Sequence, residues 1–151
     1  MQNLSDHLAY KKSVEIRWSD MDPNFHVRHS IYYDWGAYCR IGFLYEHGFT
    51  PQVAMQYQIG PILFREECVF KKEIRFDDKV EVTVLLLKCN GDGTRWSMIH
   101  EIWKNETILA AVLTIDGAWI DLTKRKLGTP PQIVMDGFNL MPKSPDFTWI
   151  N

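Results

Sequence analysis

The sequence predicts an α+β domain in which one long helix packs on a five-stranded, mostly antiparallel sheet. Three observations support this fold class: a short alternating segment precedes one long helical pattern, four strand-like segments follow it, and Asn-Gly-Asp-Gly at 90–93 predicts a hairpin between two of them. The length of 151 residues predicts a single domain over 1–151. Its core is expected in about 11–128 and a C-terminal tail in 129–151.

The first predicted element is a short strand that ends in a turn. Val14, Ile16 and Trp18 alternate with polar residues, which predicts a strand over 11–18. The tripeptide Asp-Pro-Asn at 22–24 follows and is typical of a turn.

The second predicted element is a helix over about 30–47. Apolar residues recur there at spacings of three or four, as on the buried face of a helix. Ser30 is the predicted N-cap and Gly48 the predicted C-terminal stop. Gly36 and Gly42 each cost about 1 kcal/mol relative to alanine inside a helix. Their presence indicates that the helix approaches the sheet surface closely.

Four predicted strands and a proline-rich tail complete the chain. The strand-like segments are 62–76, 79–89, 94–104 and 107–121. The first alternates so that Glu66 shares a face with apolar residues as far as Phe76. The last is apolar on both faces, which predicts a central strand. The tail predicts a short helix after Pro131 and then an irregular end.

Composition and charge exclude several classes of function. Hydrophobic residues make up 46% of the chain and charged residues 24%, as in ordinary globular proteins. The net charge of -2 differs from the strongly basic balance of a nucleic-acid-binding domain. No apolar run reaches the roughly 18 residues of a membrane-spanning helix, and the first twelve residues lack an apolar signal core. We therefore expect neither a nucleic-acid partner nor a membrane partner.

The cysteines indicate a reducing compartment. Cys39, Cys68 and Cys89 are odd in number, have no metal-site spacing and lie among apolar residues, as buried free thiols commonly do. Disulfides are rare in the cytosol. We therefore expect a cytoplasmic protein.

The strongest candidate for a functional site is the segment 17–35, RWSDMDPNFHVRHSIYYDW. Three aspartates and two histidines lie there among several large aromatic residues. The segment leads into the predicted helix, whose first backbone N–H groups have no intrahelical partner. The segment therefore combines a carboxylate that can act as a base or nucleophile, hydrogen-bond donors for a developing negative charge and an apolar wall. The residues alone favour turn and capping roles for Asp20 and Asp22.

This segment resembles the reactive loop of hotdog-fold acyl-CoA thioesterases of the 4-hydroxybenzoyl-CoA thioesterase-like family. The family pattern, aromatic-x-Asp-x-Asp-x-x-x-His-Val and then a helical Tyr, matches 18–27 with Tyr32 in the helix, and its second Asp falls on Asp22. Residues 22–27 are also similar to plant acyl-ACP thioesterases. Two further landmarks match, Phe-Asp-Asp at 76–78 and the last strand, so the resemblance covers about 11–128.

The resemblance implies a hotdog fold and a thioesterase that acts on an acyl-CoA or acyl-ACP. Asp22 would be the general base or nucleophile, and helix N-terminal amides would stabilise the oxyanion. The family also implies a homodimer or homotetramer, with sheets joined edge to edge and the sites at the interface. It implies no metal and no tightly bound cofactor.

The resemblance also suggests the remaining site residues. His26 and His29 complete the expected catalytic set, although both also fit structural hydrogen-bonding roles. The expected substrate-binding residues are Asn24, Phe25, Tyr32 and Glu66. Candidates for the phosphates of coenzyme A are Arg65, Lys71, Lys72, Arg75 and Arg95.

Two departures from the family pattern bear on the substrate. Phe25 stands where the family usually has Gly, and Arg28-His29 stands where it often has Asn-Asn. Phe25 keeps open a hotdog protein that binds acyl thioesters or a partner without turnover. A hotdog hydratase or dehydratase, in which a His-Asp pair does acid-base work, is a separate alternative.

Overall fold

The computed structural model describes residues 10–151 and has the predicted fold class, a long helix packed on a curled, mostly antiparallel sheet. Within this range the helices are α1 (His29–Glu46), α2 (Pro51–Tyr57) and α3 (Gln132–Phe138). The strands are β1 (Tyr10–Val14), β2 (Ile59–Phe70), β3 (Val80–Asn90), β4 (Arg95–Lys104), β5 (Ile108–Asp121), β6 (Lys126–Leu127) and β7 (Lys143–Ile150).

The five predicted strands form one continuous path through the sheet. Their order is β1-β3-β4-β5-β2, and each neighbouring pair is antiparallel. Two further strands lie off this path: β6 pairs with β5, and β7 pairs with β3 in parallel. Within the described residues β2 pairs with β5 alone, so its other edge is free.

The first strand is shorter than predicted. It ends at Val14, and Trp18 begins a short 3-10 turn over Trp18–Asp20 instead of continuing the alternation. The turn forms because the Asp20 carboxylate accepts the backbone N–H of Arg17 at 2.8 Å. A side-chain hydrogen bond therefore overrides a local strand pattern.

The second strand also ends early, at Phe70 rather than near residue 76. The N–H groups of Lys71 and Lys72 both donate to the carbonyl of Ala110, at 2.8 and 3.0 Å, which ends the regular ladder. A β-bulge between Leu63 and Arg65 further interrupts the alternation. The prediction that one face runs unbroken from 62 to 76 was therefore wrong.

Helix α1 begins earlier than predicted. Arg28, not Ser30, is the N-cap residue, because the N–H of Arg28 donates to the carbonyl of Asp20 at 2.8 Å and turns the chain there. No side chain caps this helix end. At the other end Gly48 has a φ of +107°, the left-handed conformation that favours glycine.

The core lies between α1 and the sheet. Ile31, Trp35, Cys39 and Phe43 recur every four residues and are buried. Burial of each large apolar side chain contributes about 1.5–3 kcal/mol. The predicted close approach is confirmed at Gly36, where an added Cβ would lie 3.1 Å from Cδ2 of His100.

Two segments contain more regular structure than predicted. Helix α2 falls in a predicted loop, and its signals are Pro51 at the first turn and Thr50, whose side chain accepts the N–H of Val53. The tail has the short helix expected after Pro131, but its end is the strand β7 and is not irregular. None of the helices in 10–151 has the length and apolar character required to cross a membrane.

Candidate active site

Asp22 lies in a tight turn between the 3-10 turn and α1, as the Asp-Pro-Asn signature predicted. Its Oδ1 accepts the backbone N–H groups of Asn24 at 2.8 Å and His26 at 3.1 Å. Its own N–H donates to the carbonyl of His26 at 2.8 Å. These bonds fix the half-buried carboxylate through one oxygen, whereas no described residue hydrogen-bonds to Oδ2.

Asp20 has a structural role, because it holds the chain on either side of this turn. Its buried carboxylate accepts hydrogen bonds from the backbone and the guanidinium of Arg17, at 2.8 and 2.9 Å. Burial raises the pKa of Asp20, but the hydrogen bonds from Arg17 outweigh burial and hold the pKa below its ordinary value. The Asp20 carbonyl also accepts the N–H of Arg28, which ties the loop to the start of α1.

A cavity of about 360 Å³ opens beside Asp22. Its walls come from the Asp22 turn, the first turn of α1, and the end of β2 with the residues after it. The lining residues are Asp22, His26, Val27, His29, Tyr32, Phe70, Lys71, Lys72 and Glu73. Tyr32 and Phe70 form its aromatic wall, with their rings edge to face at 4.9 Å. An ionisable carboxylate therefore faces a cavity with an apolar wall.

His26 is directed toward Glu73 rather than toward Asp22. Its Nε2 lies 2.8 Å from Oε2 of Glu73. The guanidinium of Arg75 donates to the other Glu73 oxygen at 2.8 Å. This hydrogen bond is the main reason that the pKa of Glu73 is lowered, with a further contribution from the charge of His26.

The sequence interpretation missed Glu73 because it was assigned to a strand over 62–76. The charged run Lys71-Lys72-Glu73 did not separate this segment from the strand, because the equally charged run Arg65-Glu66-Glu67 lies inside β2. In the structure the run Lys71-Lys72-Glu73 follows the end of β2. The N–H of Val27 donates to the carbonyl of Ile74 at 2.8 Å, which holds the Asp22 loop against this segment.

The first turn of α1 contributes donors and an aromatic wall. His29 is the first helical residue, is exposed and lines the cavity. The N-cap Arg28 makes no side-chain capping bond, so the first amide groups of α1 keep their partial positive charge for another acceptor. Tyr32 is buried in the wall, and burial raises its pKa to about 12.

Asn24 and Phe25 belong to the Asp22 turn but do not line the cavity of the single chain. Asn24 contributes its backbone N–H to Asp22. Phe25 has a φ of +64° and a side chain that is 75% exposed, so it is not a core residue. This left-handed conformation favours glycine, so Phe25 holds a backbone geometry that would suit the Gly expected from the family pattern.

Glu66 lies away from this cavity. Its Oε2 is 3.5 Å from Nη2 of Arg40, a buried residue of α1. Nη1 of Arg40 is 3.3 Å from Nε2 of His100, whose Nδ1 is 2.9 Å from the carbonyl of Thr83. Complete burial lowers the pKa of His100 to about 3, so its ring is neutral. Glu66 therefore balances a buried guanidinium.

The structure thus brings four of the predicted site residues to one cavity, namely Asp22, His26, His29 and Tyr32. Asn24 and Phe25 flank it, and Glu66 is elsewhere. In the described part of the chain, no group of three or more His, Cys, Asp or Glu side chains is placed to hold a metal ion.

Comparisons with known proteins agree on a family and a fold. Residues 16–138 match the family model described as the thioesterase-like superfamily. No curated protein gives a significant match.

Three solved structures illustrate the fold. A hypothetical protein from Staphylococcus aureus, solved in complex with CoA, is 17% identical with a TM-score of 0.82, over 95% of this chain and 90% of that one. A 1,4-dihydroxy-2-naphthoyl-CoA thioesterase from Synechocystis is 16% identical with a TM-score of 0.76, over 87% and 96%. A thioesterase from Thermus thermophilus, complexed with coenzyme A and Zn, is 18% identical with a TM-score of 0.70, over 84% and 89%. The predicted hotdog fold is therefore confirmed.

Proposed function

This chain belongs to the thioesterase-like superfamily, and from that premise we propose that it hydrolyses an acyl-CoA or acyl-ACP thioester with Asp22 as general base or nucleophile. One observation carries the proposal. The Asp22 carboxylate is held by two backbone N–H groups through one oxygen, no described residue hydrogen-bonds to its other oxygen, and Asp22 lines a cavity that reaches the uncapped end of α1.

The proposed reaction uses these groups in a simple order. The thioester carbonyl lies between Asp22 and the first amides of α1. Oδ2 removes a proton from water, whose oxygen bonds to the carbonyl carbon, or attacks that carbon itself to form an acyl anhydride that water then hydrolyses. The amides stabilise the oxyanion, the C–S bond breaks, and the thiolate leaves with the electron pair. Base catalysis typically contributes about 10²–10⁴-fold, and one oxyanion donor about 10²–10³-fold.

Two lysines support an anionic carrier. Lys71 and Lys72 line the cavity, and neither has an acidic partner among residues 10–151. Two other candidate cations are engaged: Arg65 pairs with Glu67 and Asp116, and Arg75 pairs with Glu73. Coenzyme A and the acyl-carrier prosthetic group both carry phosphate, so the lysines fit either carrier.

A homodimer through the free edge of β2 is part of the proposal. Large apolar side chains of this strand are exposed, namely Leu63, Phe64, Val69 and Phe70. An exposed apolar edge strand promotes pairing with another chain unless it is covered. Partner formation would therefore bury both the apolar surface and the unpaired backbone groups.

The charges of β2 suggest the register of that pairing. In an antiparallel pair about a two-fold axis through Glu66, Arg65 faces Glu67 of the partner subunit. Each Glu66 then lies at the axis beside its own Arg40, which offsets the repulsion between the two carboxylates. This position also brings Glu66 to the interface, where the family resemblance expects the sites.

Cysteine cross-linking tests this register. We expect the double variant Arg65→Cys/Glu67→Cys to form disulfide-linked dimers on oxidation, because these positions face each other across the axis. Each single variant, with the native Cys68, is the matched control and should remain unlinked. An active species of 17.7 kDa by light scattering would contradict the dimer, and the same measurement separates a dimer from a homotetramer.

The geometry favours hydrolysis over hydration. The His26 ring pairs with Glu73 and not with Asp22, so the His-Asp pair that a hydratase would use is not formed. The three cysteines are free thiols, which supports the proposed cytoplasmic location.

A free-thiol assay over acyl-CoA chain lengths and an acyl-ACP tests the function. Thiol release that depends on Asp22 would support the proposal. Saturable binding without thiol release would show a non-catalytic acyl-thioester-binding protein instead.

A further inference from the structure

Glu73 is a charged residue of the site to which the proposed hydrolysis assigns no task. Its carboxylate is held from two sides, with Oε2 at 2.8 Å from Nε2 of His26 and Oε1 at 2.8 Å from Nη2 of Arg75. Its backbone carbonyl accepts the ammonium group of Lys104 at 2.7 Å. Side chain and backbone of Glu73 are therefore both fixed beside the cavity.

The contact with Glu73 determines which ring nitrogen of His26 carries a hydrogen. An ionised carboxylate only accepts hydrogen bonds. Nε2 of His26 must therefore be the donor, and in the neutral ring Nδ1 is the nitrogen without a hydrogen. A carboxylate that orients a histidine through one nitrogen and leaves the other for proton transfer is a recurring catalytic arrangement.

We infer that Glu73 is a positioning residue that holds His26 with its hydrogen on Nε2, so that Nδ1 is the ring atom that exchanges protons at the site. This inference rests on the proposed thioester hydrolysis. After Asp22 takes a proton from water and the C–S bond breaks, the imidazolium of His26 delivers its Nδ1 proton to the thiolate. Asp22 then releases its proton to solvent, and His26 regains one from solvent, so that water and thioester become acid and thiol.

Holding the loop in place does not require Glu73. The backbone bonds from Asp22 N–H to the His26 carbonyl and from Val27 N–H to the Ile74 carbonyl, both 2.8 Å, join the loop without it. The His26–Glu73 pair is partly exposed, and exposed ion pairs contribute little to stability. Replacing Glu73 is therefore expected to leave the melting temperature nearly unchanged.

The test compares Glu73→Ala with a matched control, Glu46→Ala, in the full-length protein. Glu46 pairs with Lys12 at the same 2.8 Å and has similar exposure, but it lies at the far end of α1. We expect Glu73→Ala to lower kcat by about 10- to 100-fold at a nearly unchanged KM, and Glu46→Ala to change neither. Glu73→Gln keeps an oxygen acceptor and should recover most of the lost kcat.

Ring ¹⁵N–¹H correlation spectra supply a readout that does not depend on activity. At a pH where the ring is neutral, the His26 signals, assigned by their loss in His26→Asn, should show the Nε2–H form in the wild type and a mixture in Glu73→Ala. An Nδ1–H form in the wild type, normal kcat in Glu73→Ala, or equal losses in the Ala and Gln variants would each overturn this inference alone. Absence of turnover by the wild type on every thioester would overturn the proposed hydrolysis as well.

Discussion

Replacing Asp22 with Asn is the sharpest test of the site, because it removes the negative charge of the carboxylate and keeps the turn. The Asn carbonyl can accept the same two backbone N–H groups, from Asn24 and His26. The new amide group replaces Oδ2, which no described residue contacts. The substitution therefore changes charge and basicity with little change in shape.

We expect Asp22→Asn to lower the stability of the fold only slightly and the rate of hydrolysis strongly. Two hydrogen bonds lose a charged acceptor, at about 1 kcal/mol each, so the free energy of unfolding should fall by no more than about 2 kcal/mol. For a domain of this size that is a fall in Tm of roughly 4–8 °C. Loss of the base should lower kcat by about 10²–10⁴-fold, which is about 2.7–5.5 kcal/mol of barrier.

Free-thiol release at 25 °C, where the variant stays folded, separates the two effects. Asp20→Asn is the control, since Asp20 is buried and paired with Arg17. We expect it to lower Tm more than Asp22→Asn does and kcat much less. If purified, folded Asp22→Asn kept more than about a tenth of wild-type kcat, Asp22 would be a turn residue and the proposed mechanism would be wrong.

Two other substitutions test the flank of the site and the core. Phe25→Gly should leave Tm nearly unchanged, because Phe25 is exposed at a φ of +64°. The same substitution should shift kcat/KM toward bulkier acyl groups by about 1–3 kcal/mol per displaced contact. An unchanged ranking of substrates would show that Phe25 does not touch the acyl group. His100 is neutral when folded because burial lowers its pKa to about 3, whereas the unfolded ring protonates below about 6.5. The wild type should therefore lose up to about 1.4 kcal/mol of stability per pH unit below pH 6.5 through this group. His100→Gln should flatten that slope between pH 6.5 and 5, and equal slopes in calorimetry would contradict the assignment.

Much of the site could be predicted because it is local in sequence. Asp22, His26, His29 and Tyr32 belong to one turn and the helix that follows it, so the turn signature and the helical period suffice to place them together. Phe70 and Glu73 come from a distant segment. Their approach depends on where β2 stops, which the paired N–H groups at the carbonyl of Ala110 decide.

By itself the sequence determined the α+β class, the long helix, the five main strands and the Asp-Pro-Asn turn, because periodicity and turn chemistry act over a few neighbouring residues. Only the tertiary structure decided that His26 pairs with Glu73 and that Glu66 balances Arg40. It also decided that α1 starts at an uncapped Arg28. These contacts join residues far apart in the chain or depend on competing hydrogen bonds, such as that from Arg28 to Asp20. These contacts can form only after the sheet, the β-bulge of β2 and the Asp22 loop have packed against one another.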